Sequence, residues 1–315
     1  MDTDLLTEIS VAYYQRGETQ EKIAQQFNLS RPKVGRLLKK AREEGIVEIT
    51  VKYHPVFSSE IEEKLKKRFG LKRALISLSQ NDAQIQRELV AGLVANHLSR
   101  TLKDGMVVTV GQGRNVSAVA YHSGIVVQHK SKFVCGIGGI HPRGGRFNAD
   151  HISRQFAKRY GGISETLYAP AYAESPQQKA YFMENSTIKE TLNRAKKADI
   201  AIVGVGDLSE NNYMVDLGWF TAQEVTEART GQGVVGDIAG YDFFDIQGNQ
   251  IDTAMNGRII GLGINEFRHI DEVIVVASED SKPMALLGAL RTGVIDILAT
   301  SVTNAMAILN LDDAS

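Results

Sequence analysis

Thr19-Gln20-Glu21-Lys22-Ile23-Ala24-Gln25-Gln26-Phe27-Asn28-Leu29-Ser30-Arg31-Pro32-Lys33-Val34-Gly35-Arg36-Leu37-Leu38 contains two helix starts separated by one turn. Thr19 is an N-cap for a helix that turns Ile23, Ala24 and Phe27 inward and ends at Asn28-Leu29. Ser30 caps the next helix, and Pro32 suits its first turn, where a missing N–H costs no intrahelical bond. Val34, Leu37, Leu38 and Ala41 recur at helical spacing on the inner side. Arg31, Lys33, Arg36, Lys39, Lys40 and Arg42 form a basic stripe with no acid among them. Upstream, Leu5, Leu6, Ile9, Ala12 and Tyr13 predict a helix over 5–14 that Gly17 ends, with Tyr13 and Tyr14 in its packing. Downstream, Ile46-Val47-Glu48-Ile49-Thr50-Val51 reads as a strand. Three short helices and a β-wing, with the third helix basic, form the helix-turn-helix arrangement, whose recognition helix enters the major groove of DNA. Arg31, Lys33 and Arg36 are placed to reach bases or flanking phosphates, Ser30 and the helix N-terminus to donate to a phosphate, and Lys39 and Lys40 to touch the backbone. Thr19 joins this set. The bland alternative is a solvated basic face on an ordinary bundle; the order of cap, turn, proline and wing favours DNA.

The rest of the chain dilutes that stripe. Over 315 residues, 36 Lys+Arg face 37 Asp+Glu, so any polyanion site is local. The length allows two domains at roughly 100–200 residues each, and 43% hydrophobic with 23% charged residues excludes disordered and fibrous classes. One cysteine, Cys135, excludes an internal disulfide and reads as a small buried strand residue. The acidic start Met1-Asp2-Thr3-Asp4 and the lack of any run near the roughly 20 apolar residues of a membrane span lead us to expect a cytoplasmic protein without membrane contact. His54-Pro55 marks a boundary. The expected division is a winged helix-turn-helix domain at 1–53, a linker and connector helix at 54–70, and a larger domain at 71–315. Ser58 and Ser59 offer caps for the connector helix over 59–69, with Ile61, Leu65 and Phe69 on one face.

From residue 71 short apolar runs alternate with amphipathic ones. Strands are expected at 74–78, 106–110, 133–137, 200–205, 273–277 and 295–299, and helices at 83–103, 115–122, 148–161, 186–197 and 282–292. This predicts an open, mainly parallel α/β sheet covered on both faces, which binds ligands at the carboxyl ends of its strands. The turn Gly111-Gln112-Gly113-Arg114-Asn115 follows one strand and opens a helix. Its glycines permit close backbone approach, its helix N-terminus favours an anion, and Arg114 can pair with phosphate. Val116 at the third glycine position, and no ribose-binding acid downstream, argue against a nicotinamide cofactor, and no cofactor is expected. A second turn, Gly138-Gly139-Ile140-His141-Pro142-Arg143-Gly144-Gly145-Arg146, reads either as a lid or wall of the same site or as a surface loop. His97, His122, His141 and His151 lack metal-ligand spacing, so no metal is expected. Asp237 and Asp245 could be imagined as an acid/base pair, yet Gly236-Asp237 and Asp245-Ile246-Gln247-Gly248 also read as turn chemistry.

Residues 19–38, with Ala41 and Gly45-Ile46-Val47, resemble the winged helix-turn-helix of the SorC family of sugar-responsive bacterial transcription regulators. Ala198-Asp199-Ile200-Ala201-Ile202-Val203-Gly204-Val205-Gly206, Val235-Gly236-Asp237-Ile238 with Phe243-Phe244-Asp245-Ile246-Gln247-Gly248, and Ala289-Leu290-Arg291-Thr292-Gly293 resemble the family's effector domain, so the likeness spans nearly the whole chain. The resemblance implies a domain similar to the sugar-phosphate isomerase and deaminase fold, in a tetramer. It matches Gly113, Arg114 and Asn115 to a phosphate loop, Asn148 and Asp237 to polar contacts with the sugar, and Lys282 to a lysine near the effector phosphate. This chain departs from the pattern in three places. Many relatives have threonines at Arg114-Asn115, and a glycine pair where Ser278-Glu279-Asp280 stands, which puts carboxylates beside Lys282. Ile137 stands where relatives place a lysine or arginine that in one branch forms a Schiff base; isoleucine cannot. The expected effector is therefore non-covalent, with a polyol phosphate and an unphosphorylated sugar as candidates.

The expected protein is a DNA-binding regulator, not an enzyme, in which a sugar or sugar phosphate shifts subunit arrangement and operator affinity. Repression relieved by effector is favoured, in a homo-oligomer with an even number of DNA-binding heads. The rivals are a sugar-phosphate isomerase or deaminase-like enzyme, since fold does not fix function, and a constitutive architectural DNA binder.

Overall fold

The computed structural model describes residues 3–44, 46–47, 55–123, 126–140, 142–208, 213–216, 218–238 and 242–314. The chain forms two compact units, 1–53 and 54–315.

In the first unit the helix Thr3–Ser10 continues as a π-helical turn, Val11–Gln15, closed by the Arg16 N–H on the Val11 carbonyl. The helices Gln20–Gln26 and Arg31–Glu43 follow, joined by a turn in which Asn28 takes φ 52°, a left-handed value that asparagine tolerates. Leu6, Ile9, Ile23, Val34, Leu37 and Leu38 form the buried core, on which Ile46 and Val47 pack. The rest of the expected wing strand, 48–51, lies outside the described residues.

In the second unit the helix Pro55–Phe69 begins at the proline. Ser58 and Ser59 therefore lie inside it instead of capping it, because a proline lacking its N–H is well suited to a first turn. Among the described residues eleven strands follow: β1 (Arg73–Ser77), β2 (Val107–Val110), β3 (Lys132–Cys135), β4 (Ile163–Glu165), β5 (Ile200–Val203), β6 (Val205–Asp207), β7 (Gly236–Ile238), β8 (Asp242–Phe244), β9 (Gln250–Ile251), β10 (Glu272–Val276) and β11 (Ile297–Ser301). Seven make a sheet in the order β1-β11-β10-β5-β2-β3-β4, and every pairing is parallel. Val108, Val110, Ile202, Ile274 and Val276 point into one core with Val90, Val94 and Leu98 of the helix Ala83–Thr101. The alternate residues Ala201, Val203, Val273 and Val275 are also buried, so both faces are covered, which is why these strands read as continuous apolar runs. Phe133 and Phe156 stack at 5.4 Å beside Tyr160, whose hydroxyl donates to the Ala95 carbonyl.

Three expectations change. The apolar run 200–205 is two strands, because the chain leaves the parallel sheet at Gly204 and enters a second, antiparallel sheet, β6-β7-β8-β9. Gly236-Asp237 is accordingly strand, paired in register with Asp207 and Gly206. The last strand of the chain begins at Ile297 and not at 295, because the Asp296 carboxylate accepts the Val273 N–H ahead of it.

Candidate DNA-reading helix and effector crevice

On the helix Arg31–Glu43, Val34, Leu37, Leu38 and Ala41 are buried, while Arg31, Lys33, Arg36 and Lys39 are exposed and Lys40 is half-buried. Ion pairing divides the basic set. Arg31 meets Glu21 at 2.8 Å and Lys40 meets Glu44 at 3.3 Å. Among the described residues Lys33 and Arg36 have no acid partner; one turn apart, they share a face. Ser30 holds the N-cap position with extended backbone, but its hydroxyl makes no capping bond, contrary to the sequence expectation. Thr19 does cap, accepting the Lys22 N–H at 3.3 Å.

In the second unit β2 and β5 are neighbours. The chain leaves β2 toward β3 on one side and leaves β5, through the small sheet, toward β10 on the other. That is a topological switch point, where an open parallel sheet leaves a crevice at its carboxyl edge. Gly111 donates its N–H to the Ile202 carbonyl, and Gly113 (φ 107°) donates to the Phe147 carbonyl as it opens the helix Arg114–Tyr121. These two amides are thus committed within the protein. Gln112 lies half-buried between them.

Asn115 is buried and faces the loop after β10. Its amide Nδ2 donates to Glu279 Oε2 at 2.8 Å, and Ser278 Oγ donates to its Oδ1 at 2.7 Å. Glu279 also lies 3.6 Å from Lys282 Nζ and 3.8 Å from Arg87 Nη2. Burial by itself raises its pKa, but Lys282, the Asn115 amide and Arg87 outweigh burial and hold the carboxyl below its ordinary value. Lys282 donates to the Val205 carbonyl at 3.1 Å. Asp237, on β7, is 6% exposed, and among the described residues no donor reaches its carboxyl. Burial raises its pKa to about 7, Asp207 and Asp242 add to the rise, and Lys282 opposes it.

Asn115, Asp237 and Lys282 therefore come together as a set, whereas other expected members stand apart from it. Arg114 is exposed and lines an open cleft of about 240 Å³ with Gln84, Arg87, Ser117, Tyr121 and Arg146. Asn148 precedes the helix Ala149–Tyr160 and accepts the Ile140 N–H at 2.7 Å, so it ties Ile140 to the start of that helix. Gly138 and Gly139 donate their amides to the Ile260 and Ala169 carbonyls. A Cβ on Gly138 would lie 2.4 Å from the Pro170 oxygen, so glycine here serves close packing. Ile137 is buried and bridges Gly261. Asp245 serves its own turn, accepting the Gln247 and Asn249 amides, and is no partner of Asp237. His141 lies outside the described residues, and among those described no three His, Cys, Asp or Glu side chains gather as a metal site. Sequence reasoning missed Arg87 and the positive role of Ser278 and Glu279. Arg87 sits in a helix with no pattern to single it out, next to Glu88.

Residues 53–310 match the family model described as "Putative sugar-binding domain", and residues 9–50 match a helix-turn-helix domain model. The deoxyribonucleoside regulator of Bacillus subtilis is 30% identical, with 97% of each chain aligned. The sorbitol operon regulator of Klebsiella pneumoniae is 27% identical over 98% of each chain. The full-length crystal structure of that regulator, SorC, superposes with a TM-score of 0.73 at 26% identity, covering 98% of this chain and 99% of SorC. A domain of a transcriptional repressor from Vibrio fischeri is 55% identical with a TM-score of 0.77, covering 81% of this chain and 99% of the domain. The chain belongs to the SorC family of transcriptional regulators, which join a helix-turn-helix to a sugar-binding domain.

Proposed function

We propose that this regulator binds operator DNA through the helix Arg31–Glu43 and that a small sugar-derived effector, held without a covalent bond at the carboxyl edge of the parallel sheet, weakens that binding. Lys33 and Arg36 read the groove or its flanking phosphates, with Ser30 donating to a phosphate and Arg31, Lys39, Lys40 and Thr19 at the margin of the contact. Asn115, Asp237 and Lys282 are the core of the effector site. The turn 111–113 borders it, and Arg114, Gly138, Gly139 and Asn148 lie farther out on the neighbouring loops. The protein works in the cytoplasm as an even-numbered homo-oligomer, a tetramer by likeness to its family, so that paired heads meet inverted half-sites. It represses a carbohydrate or polyol operon. The relatives named for deoxyribonucleosides and sorbitol support that substrate range.

The observation that carries the reading is the Asp237 carboxyl, buried on β7 near Lys282 at a topological switch point, with no donor on it among the described residues. A buried polar group with no partner costs stability and invites a ligand that supplies one. The test is fluorescence anisotropy of the full chain on its own upstream DNA at fixed salt, with and without sugars, polyols and their phosphates. Release of DNA by one of them, abolished in Asp237→Asn without loss of ligand-free binding, is the expected result. Steady turnover of a sugar phosphate would instead favour an enzyme.

A further inference from the structure

The anion position at the crevice is already filled from within the chain. Glu279 Oε2 takes the Asn115 Nδ2 hydrogen bond at 2.8 Å and lies 3.6 Å from Lys282, while Oε1 faces Arg87 at 3.8 Å. These three groups are the donors and cations that a phosphate at the turn after β2 would need. The carboxylate is not a loose side chain that swings into solvent. Its side chain is 16% exposed, its backbone carbonyl accepts the Asn304 amide at 3.0 Å, and the preceding Ser278 ties back to Asn115 at 2.7 Å. The next residue, Asp280, is fixed by Ser301 Oγ at 3.1 Å. The loop 278–280 is thus fastened at three successive residues.

Local charge points the same way. Lys282 and Arg87 are the cations that reach Glu279, and Glu279, Asp237, Asp207 and Asp242 are the acids that act on or beside them, while Arg114 and Arg146 lie farther out, lining the open cleft. A phosphate arriving between Asn115 and Lys282 meets cations already facing Glu279, and that carboxylate, at contact distance, repels it. A hydroxyl group meets the opposite situation. Asp237 is a buried acceptor with no donor on it among the described residues, Glu279 has lone pairs beyond those that Asn115 engages, and an alcohol O–H supplies what a phosphate oxygen cannot.

We propose that Glu279 is an internal counter-ion that makes the crevice a receptor for an uncharged polyhydroxylated ligand, a sugar or polyol without phosphate, and that Glu279 is the specificity-determining residue that excludes phosphorylated sugars. This deepens the effector reading above and rests on it. Ligand hydroxyls bind to Asp237 and Glu279, while Asn115 and Lys282 hold Glu279 in place.

The test is titration of the full-length chain, by calorimetry and thermal shift, with a panel of unphosphorylated pentoses, hexoses and hexitols, the same compounds as monophosphates, and inorganic phosphate. The wild type is expected to bind at least one neutral compound and to bind its monophosphate at least about tenfold more weakly. Glu279→Gln, which keeps the shape and removes the charge, is expected to raise affinity for inorganic phosphate about tenfold; Glu279→Ala is the second variant, and melting curves verify that both fold. A monophosphate that binds the wild type more tightly than its neutral parent overturns the proposal while leaving the crevice as the effector site. Unchanged phosphate affinity in both folded variants overturns the role of Glu279. Failure of every compound to bind the wild type sinks this inference together with the effector reading on which it rests.

Discussion

Arg31 and Lys40 share a helix with Lys33 and Arg36, yet an acid neutralises each of the first two, at 2.8 and 3.3 Å. Charge left unpaired is what a phosphate can use, so Arg36→Ala should weaken operator binding about tenfold and lower the salt slope by about 1, as read by anisotropy across a salt series. Capping separates two hydroxyls in the same way. Thr19→Ala should cost about 1 kcal/mol of stability because its oxygen holds the Lys22 amide, whereas Ser30→Ala should leave the melting temperature unchanged and show itself only in DNA affinity. In the effector crevice, Asp237 makes stability depend on pH. Its folded pKa of about 7 lies above the ordinary carboxyl value, so the folded chain holds the extra proton. That contribution is complete below pH about 4 and is lost as pH rises toward about 7. Asp237→Asn should therefore melt higher than the wild type at pH about 8, with the gap closing toward pH about 4; a constant gap would contradict the assigned burial of charge. The sequence reveals the basic residues but not their pairing, because Glu21 reaches Arg31 only once two helices pack.

The carboxyl edge of the sheet is assembled from elements that meet there by topology. The turn 111–113, the loop 278–282 and β7 are far apart in sequence, and each looks like ordinary turn or strand chemistry by itself. Glycines in the neighbouring loop show how much their placement depends on backbone contact. Gly138→Ala would put a Cβ 2.4 Å from the Pro170 oxygen and 2.6 Å from that of Ala169, so it should cost about 1–3 kcal/mol and lower the melting temperature. Gly139→Ala, whose nearest neighbour would be 3.9 Å away, should change stability by no more than about 0.5 kcal/mol; equal losses at both positions would refute this account. The parallel strands were legible because burial on both faces leaves an uninterrupted apolar run. The small antiparallel sheet was not, since β6 to β9 are two or three residues each, too short for alternation to register.

At the scale of the whole molecule, the units 1–53 and 54–315 each bury a core of their own. A fragment beginning at residue 54 should therefore fold, retain the thermal shift with effector and lose operator binding; a fragment that binds DNA with unchanged affinity would remove the helix Arg31–Glu43 from its assigned role. The near-zero net charge of the chain is compatible with DNA binding because a local patch, and not the total, sets the field at contact range. The sequence by itself determined the two kinds of architecture, because helical and strand periodicities follow from which side chains must leave water. It also revealed the basic stripe and the glycine turn, because caps, proline and glycine act within a few residues. Only the tertiary structure decided which basic residues meet an acid, that Asp237 is buried, and that Glu279 occupies the place between Asn115, Lys282 and Arg87. Those properties depend on distance and desolvation between segments up to 195 residues apart, from Arg87 to Lys282, and no local pattern encodes them.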